Sequence, residues 1–69
     1  MKRNEGRIKW FNESKGFGFI EQKGKKDIFV HYKEIASEGR RSLLEGQLVA
    51  FDIGETDKGI QAMEVVVLA

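Results

Sequence analysis

The segment GFGFIE, residues 16–21, alternates with a period of two: Phe17, Phe19 and Glu21 fall on one side, Gly18 and Ile20 on the other. That period belongs to a β-strand, whose successive side chains point to opposite faces. DIFVH, residues 27–31, repeats it, with Asp27, Phe29 and His31 opposite Ile28 and Val30. Between the two runs, Gln22–Lys26 with Gly24 at its centre reads as a hairpin loop, making them antiparallel neighbours. An earlier strand is expected over Glu5–Asn12, a fourth over Gln47–Ile53 with Val49, Phe51 and Ile53 on one face, and a last over Ile60–Leu68, after a turn GETDKG at 54–59. Residues 33–46 lack alternation, and Gly39 interrupts any helix there. Five short strands in 69 residues predict an all-β closed barrel, since closure removes the edges that a flat sheet would expose.

A chain of this length closes one core, so residues 1–69 are expected to form a single domain. With no Cys there is neither a disulfide framework nor a thiolate metal site, and one His excludes multi-histidine zinc sites. The opening MKRNEGRIKWF holds no apolar run of signal-peptide length, and no stretch reaches about 18 apolar residues. A cytoplasmic protein without membrane contact is expected, and the small closed barrel suggests a monomer. Gly16-Phe17-Gly18 is followed by no GxGxxG or GKS/GKT run, so neither a mononucleotide cradle nor a small-molecule substrate is expected.

The charges are unevenly placed. Twelve Lys and Arg against eleven Asp and Glu give +1 overall. Residues 1–33 hold nine basic against four acidic side chains, a net of +5, whereas residues 34–69 hold three against seven, a net of −4. A near-neutral chain can therefore present one positive face, the footprint of a phosphate-backbone partner. The plainer alternative is a solvated surface of uneven charge.

The strands also carry more apolar side chains than one core needs. Ile8, Ile20, Ile28, Val30, Ile35, Val49, Phe51, Ile53, Met63 and Val65 fill a barrel of this size, leaving Trp10, Phe17, Phe19, Phe29, His31 and Tyr32 over. The ring-bearing face of the second and third strands is the outward one, because it also bears Glu21 and Asp27, which are costly to bury unpaired. Gly16 and Gly18 add to this, as glycine in a strand marks close approach of a backbone or ligand. The opposite packing would put the rings inside and the aliphatics outside. An exposed ring patch of this size marks a binding surface. Lys9, Lys15 and Lys33 border it, with Lys25 and Lys26 nearby. Unpaired nucleobases stack on such rings while lysines follow the phosphates, and a duplex would hide its base faces, so the expected partner is single-stranded with broad sequence tolerance.

KWFN at 9–12, KGFGFI at 15–20 and DIFVHY at 27–32, with EGRRSLLEGQ at 38–47 and GIQA at 59–62, together resemble the cold-shock domain. The resemblance spans nearly the whole chain, with the motifs in order and at the right spacing. It implies a five-stranded antiparallel Greek-key OB-fold barrel that binds single-stranded RNA and DNA without a cofactor and acts as an RNA chaperone, often in cold adaptation. Carried over position by position, the family's binding residues fall on Lys9, Trp10, Phe11, Lys15, Phe17, Phe19, Asp27, Phe29, His31 and Tyr32, with Asn12 and Lys58 at weaker contact positions.

Two positions depart from the pattern. Arg40 stands where an aromatic is usual, and its guanidinium can still lie on a base or meet a phosphate. Ile60 stands where a proline is common. KGFGFI also overlaps the RNA-recognition-motif pattern, but that fold needs two amphipathic helices and the companion motif in the other order. Two rival functions follow from the residues. In one, His31 with Asp27 serves a hydrolytic nuclease; in the other, the ring stripe grips an extended peptide.

Overall fold

The computed structural model describes residues 3–36 and 42–69. Its strands are β1 (Asn4–Asn12), β2 (Phe17–Glu21), β3 (Ile28–His31), β4 (Leu48–Thr56) and β5 (Gly59–Val67), with one turn of 3-10 helix at Tyr32–Glu34 after β3. They close into a barrel in the order β1-β2-β3-β5-β4. The seams β1–β2, β2–β3, β1–β4 and β4–β5 are antiparallel, as expected. The β3–β5 seam is parallel and holds one register pair, Phe29 with Gln61. A ring of five strands cannot alternate direction at every step, so one parallel seam is the topological consequence of closure. Here it falls between two strands that are not consecutive in the chain.

The β4–β5 connection is tighter than the six-residue turn expected at 54–59. Both strands run on until only Asp57 and Lys58 remain between them. Thr56 Oγ1 accepts the Lys58 N–H at 3.2 Å and donates to the Gly59 carbonyl at 3.0 Å, satisfying the turn locally.

Ile8, Ile20, Ile28, Val30, Val49, Phe51 and Val65 are buried together, with Ile35 packed against them, as the alternation predicts. Two expected core residues are not among them. Met63 is only partly buried and Ile53 is 46% exposed. The register of β4 against β5 shifts between Ala50 and Asp52, where three residues of β5 advance for two of β4. This bulge centres on Glu64, whose φ of 51° lies in the left-handed region that a side chain enters at a cost. It brings Ala62 and Val65, three apart, both to the interior and displaces Met63. Arg3 braces the irregular turn, donating to the Glu64 and Met63 carbonyls and to Asp52 Oδ1 at 3.2 Å. Ile53 lies beyond the last β1–β4 pair, Asn4 with Phe51, so β1 does not reach it. Leu43 and Ala62, not expected in the core, complete it; Leu43 lies in the stretch without periodicity.

Gly18 shows what its lack of a side chain is for. A Cβ there would meet the Trp10 carbonyl oxygen and come within 2.7 Å of Phe11 Cα, so β1 and β2 can cross closely only over glycine. Because the obstacle is backbone, Gly18→Ala is expected to destabilise the barrel by about 1–3 kcal/mol. Thermal denaturation measures this, and an unchanged Tm would contradict the close crossing.

Candidate nucleic-acid interface

The exposed ring surface is assembled by a second bulge. If β1 alternated without interruption, Ile8 and Trp10 would share the inner face. Instead the β1–β2 register shifts between them: Ile8 opposes Ile20, and Trp10 opposes Phe19. The extra residue, Lys9, turns Trp10 outward and its successor Phe11 inward. Trp10 is 40% exposed, whereas Phe11 is partly buried and packs against the core. Phe11, a candidate contact residue in the sequence, thus packs partly buried against the core, on the opposite side of β1 from Trp10.

On β2 and β3 the outward positions bring Phe17 opposite His31 and Phe19 opposite Phe29. Phe17 and Phe29 stack at 5.7 Å between centroids with planes 28° apart, and Phe19 meets Phe29 edge-on at 5.9 Å. Trp10 joins both rings of β2, 5.8 Å from Phe17 and 5.4 Å from Phe19. The four rings form one half-buried layer, each fixed by the others in an arrangement typical of aromatic pairs. His31 and Tyr32 extend it as a second pair at 4.6 Å. Tyr32 lies over Gly16, whose φ of 77° and lack of Cβ leave room for the phenol ring. His31 Nδ1 accepts the Lys33 N–H at 3.2 Å, which leaves Nε2 as the hydrogen-bond donor of the neutral imidazole.

The polar candidates separate into distinct roles. Lys9 Nζ donates to Asp27 Oδ2 at 2.8 Å, and this carboxylate raises the Lys9 pKa, through the hydrogen bond first and by charge attraction second. The two were expected as separate contacts; they form a pair whose charges offset each other. Asn12 serves the turn after β1: its Oδ1 accepts the Lys15 N–H at 2.9 Å and its carbonyl accepts the Gly16 N–H at 2.7 Å. Lys15 is exposed, makes no ion pair among the described residues, and lines a cleft of about 260 Å³ with Tyr32. Lys58 stands at a second cleft of about 260 Å³ formed with Phe19, Phe29 and Ile60. Ile60, 59% exposed, is a wall of that cleft not singled out as a contact from the sequence. Its place beside the rings depends on the β3–β5 pairing. Arg40 lies outside the described residues.

For hydrolysis the geometry is poor. His31 and Asp27 are four residues apart in extended chain, about 13 Å, with Phe29 between them. Asp27 is engaged by Lys9 and His31 Nδ1 by the backbone. Among the described residues no group of three or more His, Cys, Asp or Glu could hold a metal ion. No helix among them is long and apolar enough to cross a membrane.

The model of the 'Cold-shock' DNA-binding domain family matches residues 4–68. The chain belongs to the cold-shock domain family. Among its relatives are the "Cold shock-like protein CspB" of Bacillus cereus, 55% identical over 60 residues that cover 87% of this chain and 92% of the relative. The "Cold shock protein CspA" of Staphylococcus saprophyticus is 55% identical over 64 residues, covering 93% and 97%. The "Cold shock-like protein CspA" of Shewanella violacea is 53% identical over 66 residues, covering 94% of each. The cold-shock domain is a nucleic-acid-binding family and not an enzymatic one, which agrees with the unsuitable placement of His31 and Asp27 and with the motif resemblance.

Proposed function

We propose that this cold-shock domain binds single-stranded RNA and DNA by stacking bases on the Trp10, Phe17, Phe19 and Phe29 layer and its His31–Tyr32 extension, and acts as an RNA chaperone. The observation that carries the reading is this layer: large flat rings held half-exposed on adjacent strands, with the free ammonium groups of Lys15 and Lys58 at its margins. Base stacking on such a platform contributes about 1–3 kcal/mol per base and tolerates any base. Binding unpaired strands in preference to duplexes draws the melting equilibrium toward the open form by mass action, so no nucleotide hydrolysis is needed.

Titration with single-stranded oligonucleotides is expected to quench Trp10 fluorescence, and the corresponding duplexes to do so far more weakly. No response to any single strand, or equal response to duplex, overturns the reading. A hairpin RNA with a fluorophore and quencher at its ends should open on addition of the protein; binding without opening would remove the chaperone role alone.

With Lys9 offset by Asp27, few cations are left at the margin of the ring layer itself to meet phosphates. About three contacts correspond to a slope of log affinity on log salt near −2, from about −0.7 per phosphate for single strands. Lys15→Gln is expected to make that slope shallower by about 0.7 with little change in Tm. A slope unaltered by the substitution would remove Lys15 from the phosphate path.

A further inference from the structure

One seam of the closed barrel is short. The parallel seam between β3 and β5 has a single register pair, and next to it the β2–β3 loop and the β4–β5 hairpin border a cleft of about 410 Å³. Its wall is aliphatic: Ile28, Ile53 and Ile60. Ile53 and Ile60 are among the large apolar side chains left in solvent, at 46% and 59% exposure. Lys25 and Lys26 stand on its border, both exposed and in no ion pair among the described residues. Of the acidic side chains there, Asp27 is engaged by Lys9 and Glu55 stands opposite Ile60 on the β4–β5 hairpin, so the basic side of the cleft is the β2–β3 loop.

Two features indicate what covers this apolar wall. Ile60 also lines the neighbouring cleft with Phe19, Phe29 and Lys58, so the aliphatic surface continues the ring layer without interruption. Lys25 and Lys26 on the loop side complement a polyanion, and Ile60, shared by both clefts, joins this surface to Phe29. We propose that the cleft beside the short β3–β5 seam is a further nucleotide site, in which a base lies against Ile53 and Ile60 and its phosphate meets Lys25 or Lys26. The inference rests on the single-strand reading above and extends its footprint around the barrel.

Homopolymeric DNA oligonucleotides lengthened stepwise from about 4 to about 12 nucleotides, the range of site sizes for OB barrels, test it. The wild-type protein is expected to gain about fivefold or more in affinity for the oligonucleotide that first reaches past the ring layer, above the statistical gain from added registers. The double variant Ile53→Thr, Lys26→Gln should lose that increment while binding the shortest oligonucleotides as wild type does. Thr retains strand propensity and both positions are exposed, so Tm should hold; Lys25→Gln, Lys26→Gln provides a second variant without a strand substitution. An increment that is absent in the wild type, or present in both variants, overturns the proposal. So does concentration-dependent self-association abolished by Ile53→Thr without any length increment, which would assign the wall to a contact between copies of the chain. If no oligonucleotide of any length binds, the single-strand reading itself fails, a result separable from loss of the increment alone.

Discussion

Phe51→Ala is expected to cost about 3–5 kcal/mol of stability. Phe51 is fully buried and is the largest such side chain among the described residues, clustered with Ile8, Ile20, Val30, Val49 and Val65. A closed barrel cannot easily fill the resulting void, because hydrogen-bonded ladders on four of its five seams fix the separation of its strands. For 69 residues, an ordinary stability of roughly 0.05–0.15 kcal/mol per residue amounts to about 3–10 kcal/mol, so the loss consumes from about a third to all of it. At about 4–8 °C per kcal/mol, the Tm should fall by more than about 12 °C, or the variant should be unfolded at room temperature by circular dichroism. Phe51→Leu retains most of the volume and should fold. A fall of only a few degrees for Phe51→Ala would show that the interior can collapse around the missing ring.

Phe17→Ala and Phe29→Ala are expected to produce the opposite separation: a large loss of binding in a protein that remains folded. Each removes a stacking surface worth about 1–3 kcal/mol, or about 5- to 150-fold in affinity for single strands. Because the two rings stack on each other at 5.7 Å, the double variant should lose less than the sum of the single losses. Both rings are only half-buried, so their removal strips contacts from Trp10 and Phe19 without opening a cavity in the core. Tm and oligonucleotide affinity measured on the same preparations decide the matter. If either variant unfolds, the rings are core and not surface; if both bind as wild type, stacking occurs elsewhere.

Much of this arrangement was readable before the structure. The runs at 16–21 and 27–31 identified two neighbouring strands and the faces of each, because period two is imposed by the backbone of a strand whatever surrounds it. The outward choice for Phe17, Phe19 and Phe29 followed from Glu21 and Asp27 on the same face. Gly18 was legible as a point of close approach, although the approaching group is the backbone of β1. Trp10 was assigned outward on chemical grounds alone, since uninterrupted alternation from Ile8 would have sent it inward.

Where the reading failed, periodicity had been carried across a bulge or applied to a stretch that has none. Ile53 and Met63 were counted with the core because they lie two residues from Phe51 and Val65. Leu43 was not assigned. Bulges arise where two paired strands advance at different rates, so they are properties of a pair and leave little mark on either strand alone.

The sequence by itself determined the strands, the hairpin between β2 and β3, the aliphatic interior, the surplus of rings and the basic half that carries them, all of which depend on residue type and local spacing. Only the tertiary structure decided that Lys9 bulges to expose Trp10, that its ammonium is offset by Asp27, that Glu64 bulges to exchange Met63 for Ala62, and that the β3–β5 seam is short and leaves a cleft beside Ile53 and Ile60. Each of these depends on which distant segments meet when the ring closes, a condition set by the whole chain and not by any window along it.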